Sequence, residues 1–168
     1  WNMAIGEQNE LVKRIHDAGI GIYATFVFGY DGDREETFHK TLEFATRNKF
    51  YTAAFNHLLP FPGTPLYRRL QEEGRLLYDK WWLSDDYNYG DLAFRPKNMS
   101  AEQLSNLCRL ARKEFSRLSV VASRGISSMR QTSPLMWALF WVMNLRLGEE
   151  IDEKLNVPLG RNLDEMPK

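Results

Sequence analysis

Apolar residues recur at helical spacing in the first segment. Leu11, Val12 and Ile15 make one stripe, and Gly19 follows as a C-cap. A continuous apolar run from Ile22 to Phe28 comes next and stops at Gly29. Its β-branched and aromatic residues leave neither face polar, which predicts a strand of a parallel sheet covered on both sides. The loop Gly29 to Asp33 leads into a helix, with Asp33 as N-cap and Glu36 as its capping-box partner. Phe38, Thr41, Leu42 and Ala45 form the apolar side of that helix, which Asn48 and Lys49 end. A second strand is predicted from about Tyr51 to Leu59, completing a βαβ unit with a right-handed crossover.

Pro60, Pro62 and Pro65 then forbid further strand. Thr64 is placed to cap a short helix with Pro65 at its first position; Leu66, Tyr67 and Leu70 follow at helical spacing, and Gly74 stops it. Between Leu76 and Lys97 the periodicity fails. Trp81, Trp82, Tyr87, Tyr89 and Phe94 alternate with Asp and Asn, predicting a packed irregular segment with a short strand at Leu92–Phe94 and the Trp pair in the core. Ser100 and Gln103 form a capping box for a helix whose apolar side carries Leu104, Leu107, Cys108, Ala111, Phe115 and Leu118. A polar stretch from Ser123 to Ser133 reads as a linker. Pro134 opens a last helix, rich in Leu135, Met136, Trp137, Leu139, Phe140, Trp141 and Val142, and the charged tail after Gly148 reads as loose. The apolar run of that helix is too short to span a bilayer.

Composition narrows the function classes. The 168 residues carry 22 basic and 22 acidic side chains, so no net field draws the chain to nucleic acid or to an anionic membrane. Apolar residues make up 43%, enough for a packed core, and most of the aromatic ones precede residue 100. The single cysteine, Cys108, excludes an internal disulfide and cannot by itself hold an iron–sulfur cluster. The location expected is cytoplasmic. The chain opens at Trp1 without an initiator Met, which reads as part of a longer protein.

In parallel α/β architectures, ligands bind at the carboxyl ends of the strands. Two such ends are readable, Phe28 to Asp33 and Asn56 to Pro60. Gly29 and Gly32 permit tight turns and close approach of backbone to a ligand. Backbone groups there suit the edge of an adenine, with Phe28 and Leu58 flanking its faces. Plainer readings compete at each point. Asp33 is first a helix cap, and Asp31 with Asp33 is a weak metal pair. His57 is a hydrogen-bonded wall residue before it is a general base. His16 and His39 fall on helices as solvated groups, and Cys108 is a buried structural thiol.

The stretch Gly21-Ile22-Tyr23-Ala24-Thr25-Phe26-Val27-Phe28-Gly29-Tyr30-Asp31-Gly32-Asp33 resembles a late-barrel strand of radical S-adenosylmethionine enzymes. Phe55-Asn56-His57-Leu58-Leu59-Pro60-Phe61-Pro62-Gly63-Thr64-Pro65-Leu66-Tyr67 is similar to their next strand and its Pro-Phe-Pro-Gly-Thr loop. Further on, Glu73-Gly74-Arg75-Leu76-Leu77, Trp81, Phe94-Arg95-Pro96 and Met99-Ser100-Ala101-Glu102-Gln103-Leu104 resemble the C-terminal extension of the cobalamin-binding branch, which includes hopanoid methylases and the anaerobic cyclase of bacteriochlorophyll synthesis.

That resemblance implies an α/β fold: residues 1–97 as the C-terminal part of a (β/α) TIM-like barrel, and residues 98–168 as a helical extension with a loose tail. It implies S-adenosylmethionine cleaved over a [4Fe-4S] cluster to start methyl transfer or cyclisation, with cobalamin as a further cofactor of the parent. The adenosyl moiety would meet Phe28, Gly29, Asn56, Leu58 and Pro60. The family's Cys-x-x-x-Cys-x-x-Cys motif has no match here, so the cluster ligands, the first half of the barrel and the cobalamin-binding domain are expected outside this chain. The implied substrate is a small molecule of lipid or tetrapyrrole kind, and this chain alone is expected to be inactive. Two other readings remain open: an interaction module docking on a partner or membrane surface through residues 135–143, and an unrelated barrel enzyme using Asp31 or His57.

Overall fold

The computed structural model describes residues 5–129, 132–153 and 157. Helix α1 (Ile5–Asp17) precedes strand β1 (Tyr23–Phe28); helix α2 (Glu35–Arg47) leads to strand β2 (Thr52–His57); helix α3 (Pro65–Glu72) follows. After a 3-10 turn at Trp81–Leu83 come α4 (Ala101–Phe115), α5 (Leu118–Ser128) and α6 (Pro134–Glu153). The two strands are parallel, with Tyr23 opposite Thr52 and Phe28 opposite His57. The expected βαβ order therefore holds, although β2 is shorter than its apolar run.

Helices cover one face of this sheet. Phe26 stacks on Phe55 at 5.3 Å, Phe28 stacks on Phe38 of α2 at 4.0 Å, and Phe55 meets Phe115 of α4 edge-on at 5.5 Å. Leu70, Leu92, Phe94, Leu104 and Cys108 complete this core. The opposite face of β1 is open: Tyr23, Thr25 and Val27 are exposed, alternating with covered Ala24, Phe26 and Phe28. The expectation of a strand covered on both sides is thus corrected. Apolar composition cannot distinguish a covered face from one whose cover lies elsewhere.

The edges of the sheet differ. The amides of Thr52 and Leu58 bond the carbonyls of Ile22 and Phe28, so alternate residues of β2 turn their backbone groups toward β1. Phe55 turns away, and its carbonyl accepts from Arg112 Nε of α4 at 2.9 Å. Strand β1 pairs with β2 alone among the described residues, so its outer edge is open.

Several local expectations hold. Thr64 accepts from the Tyr67 amide with Pro65 at the first helical position, and Ser100 and Gln103 form a reciprocal box. Others are overturned. Asp33 does not cap α2; its Oδ2 accepts from the amides of Gly29 (2.8 Å) and Tyr30 (3.0 Å), folding the loop back on itself. The helix starts at Glu35 instead, where Thr37 Oγ1 accepts from the Arg34 amide, and Glu36 pairs with Lys40. Leu118 does not extend the α4 face but begins α5 and is 71% exposed. The strand expected at Leu92–Phe94 is a single antiparallel bridge, Leu76 to Phe94. His16 is buried rather than solvated, its Nε2 donating to the Asn48 carbonyl at 3.0 Å. The Trp pair is not core: Trp81 is half-buried and Trp82 exposed.

The largest correction concerns the supposed linker. Residues 123–128 are the second half of α5, while residues 130 and 131 lie outside the described residues. Arg124 is 1% exposed; its Nη1 donates to the carbonyls of Phe50 and Tyr51 and to Asn144 Oδ1, and its Nη2 donates to the Phe115 carbonyl. Its guanidinium lies 3.8 Å over the Phe115 ring. Gly125 allows α6 to approach, because a Cβ there would stand 2.5 Å from Trp141. Helix α6 continues past Gly148 to Glu153; most of the tail beyond lies outside the described residues. Among the described residues no helix is long and apolar enough to cross a membrane.

Candidate functional site

The two strand ends are neighbours. Phe28 lies opposite His57, and the Leu58 amide donates to the Phe28 carbonyl at 2.7 Å. Beyond Phe28 the chain turns at Gly29, whose φ of 109° lies in a region that favours glycine. A Cβ at Gly29 would meet Phe94 at 3.0 Å, Leu104 at 3.3 Å and Leu58 at 3.5 Å. The turn is therefore wedged against the connector and α4, and Gly29 and Leu58 are in contact range.

The loop after Gly29 is fixed from three sides. Asp33 closes it internally. Asn98 Nδ2 donates to the carbonyls of Asp31 (2.8 Å) and Asp33 (3.1 Å). The Asp31 carboxylate meets Arg75 Nη1 at 3.0 Å, Lys97 Nζ at 3.0 Å and Arg69 Nη1 at 3.5 Å. The hydrogen bonds from Lys97 and Arg75 hold its pKa below the ordinary carboxylate value. Asp31 is thus engaged with cations, and Asp33 with the amides of Gly29 and Tyr30.

On the other strand end, Asn56 lies on the open face opposite Val27, and its Oδ1 accepts from Arg112 Nη2 at 3.2 Å. Among the described residues its Nδ2 makes no hydrogen bond. Pro60 is buried, and its carbonyl accepts from Trp81 Nε1 at 2.9 Å. His57 lies on the helix-covered side with a buried, unpartnered Nδ1. Burial first, then the nearby Arg112 charge, lowers its pKa to about 4. It is a neutral wall residue at pH 7, but its buried Nδ1 lacks the hydrogen bond expected of a wall histidine.

Phe28, Gly29 and Leu58 thus sit together with Pro60 close by in sequence, whereas Asn56 faces the other side of the sheet. The Phe28 ring is committed to Phe38. An open groove of about 600 Å³ runs along α2, lined by Gln8, Asn9, Phe26, Arg34, Thr37 and Phe44 among others, and contains none of the five candidate residues. Arg69, Arg75, Lys97 and Arg112 escaped sequence reasoning. Each sits among other charged or polar residues, so each reads as solvated until the fold brings acceptors to it.

Comparison with known proteins adds what geometry lacks. Bacteriochlorophyllide d C-12(1)-methyltransferase of Chlorobaculum tepidum is 32% identical over 131 residues, covering 77% of this chain and 26% of that protein. Hopanoid C-2 methylase of Rhodopseudomonas palustris is 36% identical over 70 residues, 42% of this chain and 13% of that protein. The chain is a relative of these methyltransferases. Bacteriochlorophyllide d C-8(2)-methyltransferase of C. tepidum is a further relative, 25% identical over 73 residues, 44% of this chain and 16% of that protein. The resemblance to the hopanoid-methylase branch read from the Gly29 and Pro60–Thr64 turns is borne out. The chain spans about a quarter of the length of the first of these methyltransferase relatives. No family model and no solved structure matches it.

Proposed function

We infer that this chain is the closing part of a radical S-adenosylmethionine methyltransferase, with residues 1–97 ending its barrel and residues 98–168 forming a helical extension. One observation carries the reading. The Gly29 turn and the Pro60–Thr64 turn follow adjacent parallel strands at the same end of a sheet, and β1 has an open outward face and, among the described residues, an open outer edge. Helices on one face and an open strand edge support a segment of a (β/α) barrel separated from its other strands.

In this reading the adenosyl group of S-adenosylmethionine lies over the strand ends. Backbone at Gly29 and Pro60 borders it, Leu58 offers an apolar contact, and Asn56 Nδ2 donates from the open face. Phe28 acts through packing, since its ring supports the turn against Phe38. The [4Fe-4S] cluster supplies the electron that cleaves S-adenosylmethionine, and cobalamin is a second cofactor of the parent. The residues present do not fit the cluster. Cys108 is the lone cysteine, it is buried, and burial pushes its thiol up to about 12. Cluster ligands, the remaining strands and the cobalamin domain belong to sequence outside this chain. The names of the relatives support a small-molecule substrate of lipid or tetrapyrrole kind.

The test joins this chain to the upstream region of its parent and measures S-adenosylmethionine affinity by calorimetry. Asn56→Ala and Leu58→Ser are expected to weaken binding by about tenfold or more, the equivalent of one lost buried contact. Unchanged affinity in both variants, with the fold intact by circular dichroism, rejects the strand-end site.

A further inference from the structure

Arg112 belongs to the last turn of α4, and its half-buried side chain reaches the end of β2. Nε donates to the Phe55 carbonyl at 2.9 Å, and Nη2 donates to Asn56 Oδ1 at 3.2 Å. Two bonds from one planar group to adjacent residues leave it little freedom to rotate. Its helix is fixed in turn. Leu104, Cys108, Ala111 and Phe115 of α4 are buried, and the Phe115 ring meets Phe55 at 5.5 Å. Among the described residues no carboxylate pairs with Arg112. A cation drawn in from water onto neutral acceptors, without a counter-ion, is a costly way to hold a helix against a strand.

The chemistry of the amide gives this arrangement a second effect. An asparagine side chain accepts at one end and donates at the other, and its shape alone does not select between them. A guanidinium only donates. Arg112 therefore compels Asn56 to turn Oδ1 toward α4, so that Nδ2 points away from it. Asn56 stands opposite Val27 on the open side of the strand pair, and among the described residues its Nδ2 makes no hydrogen bond. The amide is thus held at its acceptor end and unbonded at its donor end, close to the strand end where the Gly29 turn lies. Ring nitrogens of adenine are acceptors, the complement of such a donor.

We propose that Arg112 is a positioning residue of the strand-end site, holding the Asn56 amide so that Nδ2 is presented to the adenosyl group. The proposal rests on the reading of that site as the place of S-adenosylmethionine. It makes the helical extension part of the site, since α4 supplies the group that sets the polarity of an amide on β2. Arg112 acts through Asn56 and does not itself meet the ligand.

A double-mutant cycle of Arg112→Met with Asn56→Ala tests it, in the chain joined to its upstream region, with S-adenosylmethionine affinity read by calorimetry. Arg112→Met is expected to weaken binding by about fivefold when Asn56 is present, and by less than about twofold when Asn56 is already Ala. Arg112→Lys, which still donates but cannot hold both acceptors, is expected to fall between wild type and Arg112→Met. A merely structural role lowers affinity equally in both backgrounds, and that additive result overturns the proposal. Unchanged affinity in Arg112→Met beside weak binding in Asn56→Ala also overturns it, leaving the strand-end site in place without Arg112. Unchanged affinity in Asn56→Ala overturns it as well, and Leu58→Ser then decides whether the strand-end site itself stands. Should circular dichroism show that Arg112→Met does not fold, the cycle with Arg112→Lys decides by the same criterion.

Discussion

Arg75 Nη1 stands 3.0 Å from Asp31 Oδ1, tying the loop after β1 to the connector that follows α3 across 44 residues. Arg69 and Lys97 converge on the same carboxylate. Asp31→Asn removes the anion that three cations share and is expected to cost roughly 1 kcal/mol at low salt, less as salt rises. Because the folded pKa lies below the ordinary value of 3.8, the stabilisation is complete above that value and is lost as pH falls from it through the folded pKa. Urea midpoints of wild type and Asp31→Asn should therefore converge in acid. Parallel curves down to the lowest pH reached would refute the role given to Asp31.

Gly29→Ala should be costly for two reasons that add. The φ of 109° is strained for any residue with a Cβ, and that Cβ would press on Phe94 and Leu104. A loss of about 2 kcal/mol or more is expected, read as a lower denaturation midpoint. Gly32→Ala, where nothing lies within 4 Å of the added carbon, is the control and should be near neutral.

His57 should make the fold acid-sensitive well above the carboxylate range. Its folded pKa of about 4 lies below the ordinary 6.5, because burial disfavours the charged ring. The unfolded chain takes up the proton first, so stability is lost as pH falls from about 6.5 toward 4, by up to roughly 3 kcal/mol. His57→Gln, which does not titrate, should flatten that part of the pH–stability curve. An unchanged slope in the variant would show that another group is responsible.

Arg124 binds three backbone carbonyls and the Asn144 amide oxygen, and no carboxylate partners it. Arg124→Met keeps much of the volume but strands those buried acceptors. The expected loss is about 3 kcal/mol, with the contact of α5 and α6 against β2 weakened before the strand pair itself. Hydrogen exchange would check the order of opening; protection lost equally in β2 and α6 would contradict it.

Legibility in the sequence followed how local the physics was. Thr64-Pro65 and Ser100–Gln103 are helix starts whose bonds close within four residues, so the chain announces them. The two strands and their parallel order follow from apolar runs separated by an amphipathic helix. Asp33 was misread because an Asp that closes a loop backward looks the same as one that caps a helix forward. The segment around Arg124 was misread because three serines, a glycine and an arginine resemble a linker. Only the carbonyls of Phe50 and Tyr51, more than seventy residues earlier, make it a buried helix. The candidate site was half legible. Its turns are written in Gly29 and Pro60, but the cations holding Asp31 come from α3 and the connector, and the open side of β1 carries apolar and aromatic residues like a covered one.

The guanidinium of Arg112 on the Phe55 carbonyl has one further consequence. A strand approaching β2 from outside finds an acceptor already occupied and a cation in its path, whereas one approaching β1 finds bare backbone at Tyr23, Thr25 and Val27. Further pairing is thereby biased toward one side: a strand added to this sheet meets less obstruction at β1 than at β2.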